Sequence, residues 1–151
     1  MSEGTTEEGA FRFEHRVPVR FRDIDVGGHA HHSQVLVYME EARSTYWEEV
    51  AGRRGVEEID FILAEAKVRY RARVLYPDLL RVLVRVGSIG RQHFEMFYEV
   101  RSDAGRLLAE GATTMVMFDY ARERPMRMAD DLRARIEAHE GGVLPRRPPK
   151  G

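Results

Sequence analysis

Gln34-Val35-Leu36-Val37-Tyr38-Met39-Glu40-Glu41-Ala42-Arg43-Ser44-Thr45-Tyr46-Trp47-Glu48-Glu49-Val50-Ala51 decides the fold. Val35, Met39, Ala42, Tyr46 and Val50 recur every three or four residues, the spacing of one helix face. Leu36, Tyr38 and Trp47 widen the stripe, which predicts a helix buried on more than one side. Gly52 and Gly55 follow and end it. Such a helix needs apolar surface around it, and the flanking sequence supplies that surface.

Upstream, His15 to Arg22 alternates, with Val17, Val19 and Phe21 on one face and Arg16, Pro18, Arg20 and Arg22 on the other. That reads as a half-buried strand, and the proline predicts an edge or a bulge. Downstream, Ile62, Ala64, Ala66, Val68, Tyr70, Ala72 and Val74 alternate with Glu65, Lys67, Arg69, Arg71 and Arg73. Leu80, Val82, Val84 and Val86 then alternate with Arg81 and Arg85, and Phe94, Met96, Tyr98 and Val100 with Glu95, Glu99 and Arg101. A fourth run covers Leu107 to Asp119. The connections, Tyr76-Pro77-Asp78, Gly87 to Gly90 and Asp103-Ala104-Gly105, are short and turn-like, which suits antiparallel neighbours. Asp130 to Glu140 predicts a short amphipathic helix, with acids in its first turn and Gly141 after it. The order is strand, long helix, four strands, short helix. The expected fold is α+β, an antiparallel sheet of about five strands wrapped around one central helix.

At 151 residues the chain has the length of one domain. Residues 1–10 are small, polar and acidic and are expected to be disordered; 11–140 form the domain; 141–151, rich in Gly, Pro and Arg, form a flexible tail. The 24 basic and 25 acidic residues leave a net charge of −1, which argues against a bulk nucleic-acid or anionic-membrane binder. Cysteine is absent, so disulfides, thiolate nucleophiles and Cys-ligated metals are excluded. No apolar run has membrane-spanning length and no signal peptide is recognisable, so a cytoplasmic protein is expected.

Chemistry concentrates in Arg22-Asp23-Ile24-Asp25-Val26-Gly27-Gly28-His29-Ala30-His31-His32-Ser33, between the first strand and the long helix. A helix N-terminus presents unpaired N–H groups and partial positive charge, which can hold an oxygen that is becoming an oxyanion. A carboxylate in that field is fit to act as nucleophile or general base. Gly27-Gly28 allows a tight turn and close approach to a ligand. The plain alternative is an Asp that caps a helix or shapes a turn beside surface histidines.

Phe21-Arg22-Asp23-Ile24-Asp25-Val26-Gly27-Gly28, then His32, then Met39-Glu40-Glu41-Ala42-Arg43, resembles the hotdog-fold acyl-CoA thioesterases, in particular the 4-hydroxybenzoyl-CoA thioesterase-like branch. The element order is similar over about residues 11–120, and the specific motif covers 21–43. The resemblance implies an acyl-CoA hydrolase with CoA thioester as substrate and no separate cofactor or metal. It assigns catalysis to Asp25 and His32, the latter through its backbone N–H and its imidazole. Asp23 would shape the turn. Gly28, Ser33 and Glu40 would contact substrate, and Arg91 would meet the coenzyme phosphates. Gln34 and Val35 depart from the Asn and Tyr usual in relatives, and His29 and His31 stand where apolar or aromatic residues are usual. The family's assembly implies a homodimer or homotetramer with acyl-CoA between subunits. Three other readings compete: a hydratase or dehydratase pairing His29 or His31 with Glu40, a metal site of His29, His31, His32 and Asp25, and a non-catalytic acyl-CoA-binding module. A Ser33–histidine–aspartate triad is disfavoured, because adjacent residues on one turn rarely point at each other.

Overall fold

The computed structural model describes residues 10–147. Expectations for residues 1–9 and 148–151 lie outside the described residues. Strand β1 (Phe13–Pro18) leads through a 3-10 turn (Phe21–Asp23) and a short loop into α1 (His32–Glu49). Strands β2 (Phe61–Tyr70), β3 (Leu79–Ile89), β4 (His93–Arg101) and β5 (Leu107–Asp119) follow, with a two-residue β6 (Arg124–Pro125) and α2 (Asp130–Glu140). All pairings are antiparallel, in the order β1-β3-β4-β5-β2, with β6 against the end of β5. The sheet curls around α1, which is the hotdog arrangement.

The core lies between α1 and the inner face of β1, β3, β4 and β5. Val35, Met39, Ala42 and Tyr46 of α1 are buried with Leu80, Val82, Val84, Phe94, Met96 and Tyr98. Met39 reaches the sheet at Gly111, where a Cβ would stand 2.6 Å from Met39 Cε. Trp47 stacks on Phe94 at 5.0 Å and meets Phe61 edge-on at 5.0 Å. The predicted stripe is thus the packed face, except that Leu36 lies at its rim and is exposed. Helix α2 closes one end through Leu132 and Ile136. Its Glu140 accepts from Tyr46 Oη at 2.6 Å and from the Val86 N–H at 3.0 Å. Burial, and then that carboxylate, push the Tyr46 hydroxyl well above its usual range, so it remains a donor.

Several boundaries differ from expectation. The first strand stops at Pro18, and Phe21 sits exposed in the 3-10 turn instead of on the apolar face. Proline has no N–H to continue the ladder, and Asp23 bends the chain by accepting from the Arg20 N–H at 3.0 Å. Helix α1 begins at His32, two residues before Gln34, because the His31 Nδ1 caps the Ser33 N–H at 3.2 Å. The turn placed at Gly87 to Gly90 is narrower, since β3 runs on through Ile89. Gly87 lies instead within the register shift between Val86 and Ser88, where a Cβ would collide with the Phe97 ring. The long alternation of β2 breaks at a shift between Leu63 and Glu65, so that Ile62 is exposed while Phe61 and Val68 pack against the core. Arg85, which alternates with the apolar residues of its strand, is buried over the Phe97 ring at 4.6 Å and the Phe11 ring at 5.5 Å. The segment after α2, placed by sequence in the tail, returns to β3, with the Ile89 N–H donating to the Pro145 carbonyl at 2.8 Å.

Candidate active site

The loop between the 3-10 turn and α1 is closed by bridges of Ile24 to Ala30 and His29 to Leu75. Within it the Asp25 N–H donates to the His29 carbonyl at 2.9 Å, and the Gly28 N–H to the Asp25 carbonyl at 3.0 Å. Gly28 takes φ +84°, the left-handed region that favours glycine, and a Cβ there would meet nothing within 4 Å. Backbone conformation, not crowding, calls for glycine at this position.

Asp25 is partly exposed, and its Oδ1 accepts from the Gly27 N–H at 2.8 Å. That bond fixes the carboxylate's orientation and leaves Oδ2 without a protein partner among the described residues. A Cβ on Gly27 would stand 3.2 Å from Asp25 Oδ1 and 3.1 Å from His29 Nε2, so carboxylate and imidazole flank the same glycine. His29, to which the resemblance gave no role in hydrolysis, is therefore the imidazole beside Asp25. The signal that could have found it is the Gly27-Gly28 turn, which folds the chain back so that Asp25 faces His29.

His32 enters differently. Its N–H is the first of α1 and has no partner among the described residues, while its carbonyl accepts from Tyr70 Oη at 2.7 Å. Its ring lies 4.1 Å from that of His31 and makes no hydrogen bond to Asp25. Ser33 Oγ and His31 Nδ1 are 2.8 Å apart. Since Nδ1 also accepts from the Ser33 N–H, the pair is a helix cap, and neither residue bonds a carboxylate, so no triad forms.

Asp23 is buried and holds the loop to the helix. Its Oδ2 accepts from Tyr38 Oη at 2.8 Å, and its carbonyl accepts from the His31 N–H at 2.9 Å. Burial, then the Asp23 carboxylate, raise the Tyr38 hydroxyl far above its usual range, so it stays a donor. Asp23 thus shapes the turn.

The remaining candidates lie farther away. Glu40 is exposed on α1, two turns beyond His32, and makes no hydrogen bond or ion pair with His29 or His31. Arg91 lies in the β3–β4 turn at the other end of the sheet. Strand β3 starts beside the loop and has 11 residues, so at about 3.3 Å each that turn is about 30 Å away in the same chain. Near Arg91, where its carbonyl accepts from the Met128 N–H, a cleft of about 610 Å3 opens between residues 52–60 and 118–126. Ile59, Phe118 and Met126 line it together with Arg53, Asp60 and Tyr120. Among the described residues no three His, Asp or Glu side chains form a group that could hold a metal ion. No helix among them is long and apolar enough to cross a membrane.

Residues 19–136 match the sequence model of the thioesterase-like superfamily. A thioesterase from Thermus thermophilus, solved in complex with coenzyme A and zinc, is 34% identical, with 87% of this chain and 96% of that one covered and a TM-score of 0.78. A structure described as a predicted thioesterase from Bacillus stearothermophilus shares the fold at 21% identity, with 86% and 97% covered and a TM-score of 0.79. The uncharacterized protein YsmA of Bacillus subtilis is 23% identical over 122 residues, 81% of this chain and 83% of its own length.

Proposed function

Because this chain belongs to the thioesterase-like superfamily, whose reaction is thioester hydrolysis, we propose that it hydrolyses acyl-CoA with Asp25 and the N-terminus of α1 as its catalytic centre. The observation that carries this reading is the joint placement of an oriented carboxylate and an unpartnered helix amide on one closed loop. The thioester oxygen would accept from the His32 N–H, where charge develops as the carbonyl carbon becomes tetrahedral. Asp25 then attacks that carbon, or takes a proton from a water that does. The C–S bond breaks, the thiolate leaves as coenzyme A after protonation, and water supplies the hydroxyl of the acid. Gly28 and Ser33 border the approach, and the His29 imidazole flanks Gly27 together with Asp25, with no hydrogen bond between the two.

The site is shared between two copies in this reading. Strand β2 is a ten-residue sheet edge with an open row of N–H and C=O groups, and Leu63 and Tyr70 on it are exposed. Antiparallel pairing of β2 with the β2 of a second copy joins two sheets edge to edge. The Tyr70 end of β2 is tied to His32, and the Phe61 end borders the cleft. A two-fold through β2 therefore brings the Asp25 loop of one copy toward the cleft and Arg91 of the other. Pairing of this kind spans the separation seen within one chain, and the Arg91 guanidinium becomes a partner for coenzyme phosphates. A panel of acyl-CoA substrates followed by free-thiol release tests the activity. Thiol release well above the spontaneous rate is expected, and binding without turnover across the panel favours the non-catalytic module.

A further inference from the structure

Arg43 is 7% exposed, and its Nη1 donates to Tyr98 Oη at 3.1 Å. Tyr98 in turn shares a 2.6 Å bond with Thr113 Oγ1. No carboxylate lies within ion-pair distance of this guanidinium among the described residues. A buried cation without a counter-charge is costly, and native proteins pair such groups. Three residues earlier, Glu40 is exposed and has neither hydrogen bond nor ion pair among the described residues.

Both lie on one shoulder of α1. At 3.6 residues per turn, Leu36, Glu40, Arg43 and Trp47 form a stripe along the helix. Arg43 reaches Tyr98 on β4, and Trp47 Nε1 donates to Asp60, just before β2, so this shoulder faces the β2 side. The opposite shoulder is already engaged with the β1 side, where Tyr38 donates to Asp23 and Glu41 lies 3.2 Å from His15 Nε2. The unpaired acid and the unpaired base thus stand together on the shoulder that borders the open sheet edge, beside the exposed Leu36.

We propose that this shoulder of α1 docks on the same shoulder of a second copy, with Glu40 of each copy paired to the partner's Arg43. The inference rests on the edge-to-edge dimer proposed above and adds what selects it. Two copies related by a two-fold present α1 antiparallel to α1, so a residue opposite j in one direction has j opposite it in the other. An acid and a base one turn apart on such a helix are self-complementary, and both pairs form at once. The charge buried within each copy is compensated only in the assembly, which favours the correct partner and register. Glu40 thereby acts at the interface beside the shared site.

Charge reversal with mixing tests this, read by light scattering and sedimentation over a dilution series. Glu40→Arg and Arg43→Glu should each weaken self-association by at least about tenfold, since each sets like charges opposite one another. Mixed in equal amounts, the two variants should form a heterodimer, because every pair is then complementary. The double reversal in one chain should restore the homodimer. Should Arg43→Glu fail to fold, the exposed Glu40→Arg carries the test: it must weaken the dimer at least about tenfold and more than Glu40→Gln does. A wild-type dimer with single reversals that self-associate as tightly overturns the pairing and leaves the edge-to-edge dimer standing. A wild type that stays monomeric overturns both.

Discussion

Among single residues, Asp25→Asn keeps the size of the side chain and changes only its ability to attack or accept a proton. The Gly27 N–H can still donate to the amide oxygen, so the loop should close as before. Turnover should fall by at least about a hundredfold, with an unchanged melting profile. A near wild-type rate of thiol release from this variant would remove Asp25 from the mechanism. His32→Ala should act more gently, since the backbone N–H proposed to polarise the carbonyl survives the change. A loss of roughly tenfold to a thousandfold is expected, smaller than that of Asp25→Asn. Because the His32 imidazole makes no bond to Asp25 and His29 flanks it, the low end of that range is the expected result. A kcat for His32→Ala below that of Asp25→Asn would reverse the two roles. Asp25 and the helix amide were legible in the sequence because they follow from chain order. The nearness of His29 was not, because a tight turn decides which side chain returns to face the carboxylate.

Among the strands, the outer face of β4 carries a conflict the alternation does not reveal. Glu95 lies opposite Ser88 on β3 and Thr114 on β5, and its buried Oε1 has no hydrogen-bond partner among the described residues. Burial raises its carboxyl above the usual range, against the pull of Lys67 and Arg85, while Glu65 adds to the rise. A folded-state value above the unfolded one means the folded chain holds the proton longer. The penalty is thus absent at acid pH, where both states are protonated, and grows as pH rises from about 4.5 through the raised value. Glu95→Gln should then stabilise the protein near neutral pH by up to about 1 kcal/mol, since the group keeps some contact with water. The gain should vanish at acid pH, and melting curves of both proteins across pH measure it. A gain that persists below about pH 4 would point to packing instead. The same outer face holds Arg85, a charged side chain of the alternation that is stacked over two rings. Alternation reports which face a residue takes, and cross-strand neighbours decide how wet that face is.

In the proposed reading, the site of one chain is divided. The loop of Asp25 and the cleft near Arg91 stand at opposite ends of α1, and the sheet edge between them is open. A homodimer is therefore expected as the smallest active species, and light scattering at micromolar concentration should show twice the chain mass of 17.5 kDa. Proline in place of Val68, on the open edge strand β2, should impair both dimer formation and activity, because a ladder donor is lost. An active wild-type monomer would refute the shared site while leaving hydrolysis by Asp25 intact.

The order and type of the elements were written in the chain itself, since burial periods of two and about 3.6 are local properties. Asp130 to Glu140 is the α2 helix that the pattern predicts, with Gly141 in the left-handed cap. Leu107 to Asp119 is β5. The loop of Asp25 was legible for the same reason, as carboxylate, glycines and helix start lie within twelve residues. What distant segments do to one another was settled by packing alone. The register shifts at Ala64 and Gly87 arise where β2 and β3 meet their neighbours, and they change which side chains share a face. The burial of Arg43 without a counter-charge and the distance of Arg91 from the Asp25 loop depend on how the sheet curls around α1. Those relations join residues far apart in the chain, and no local pattern encodes them.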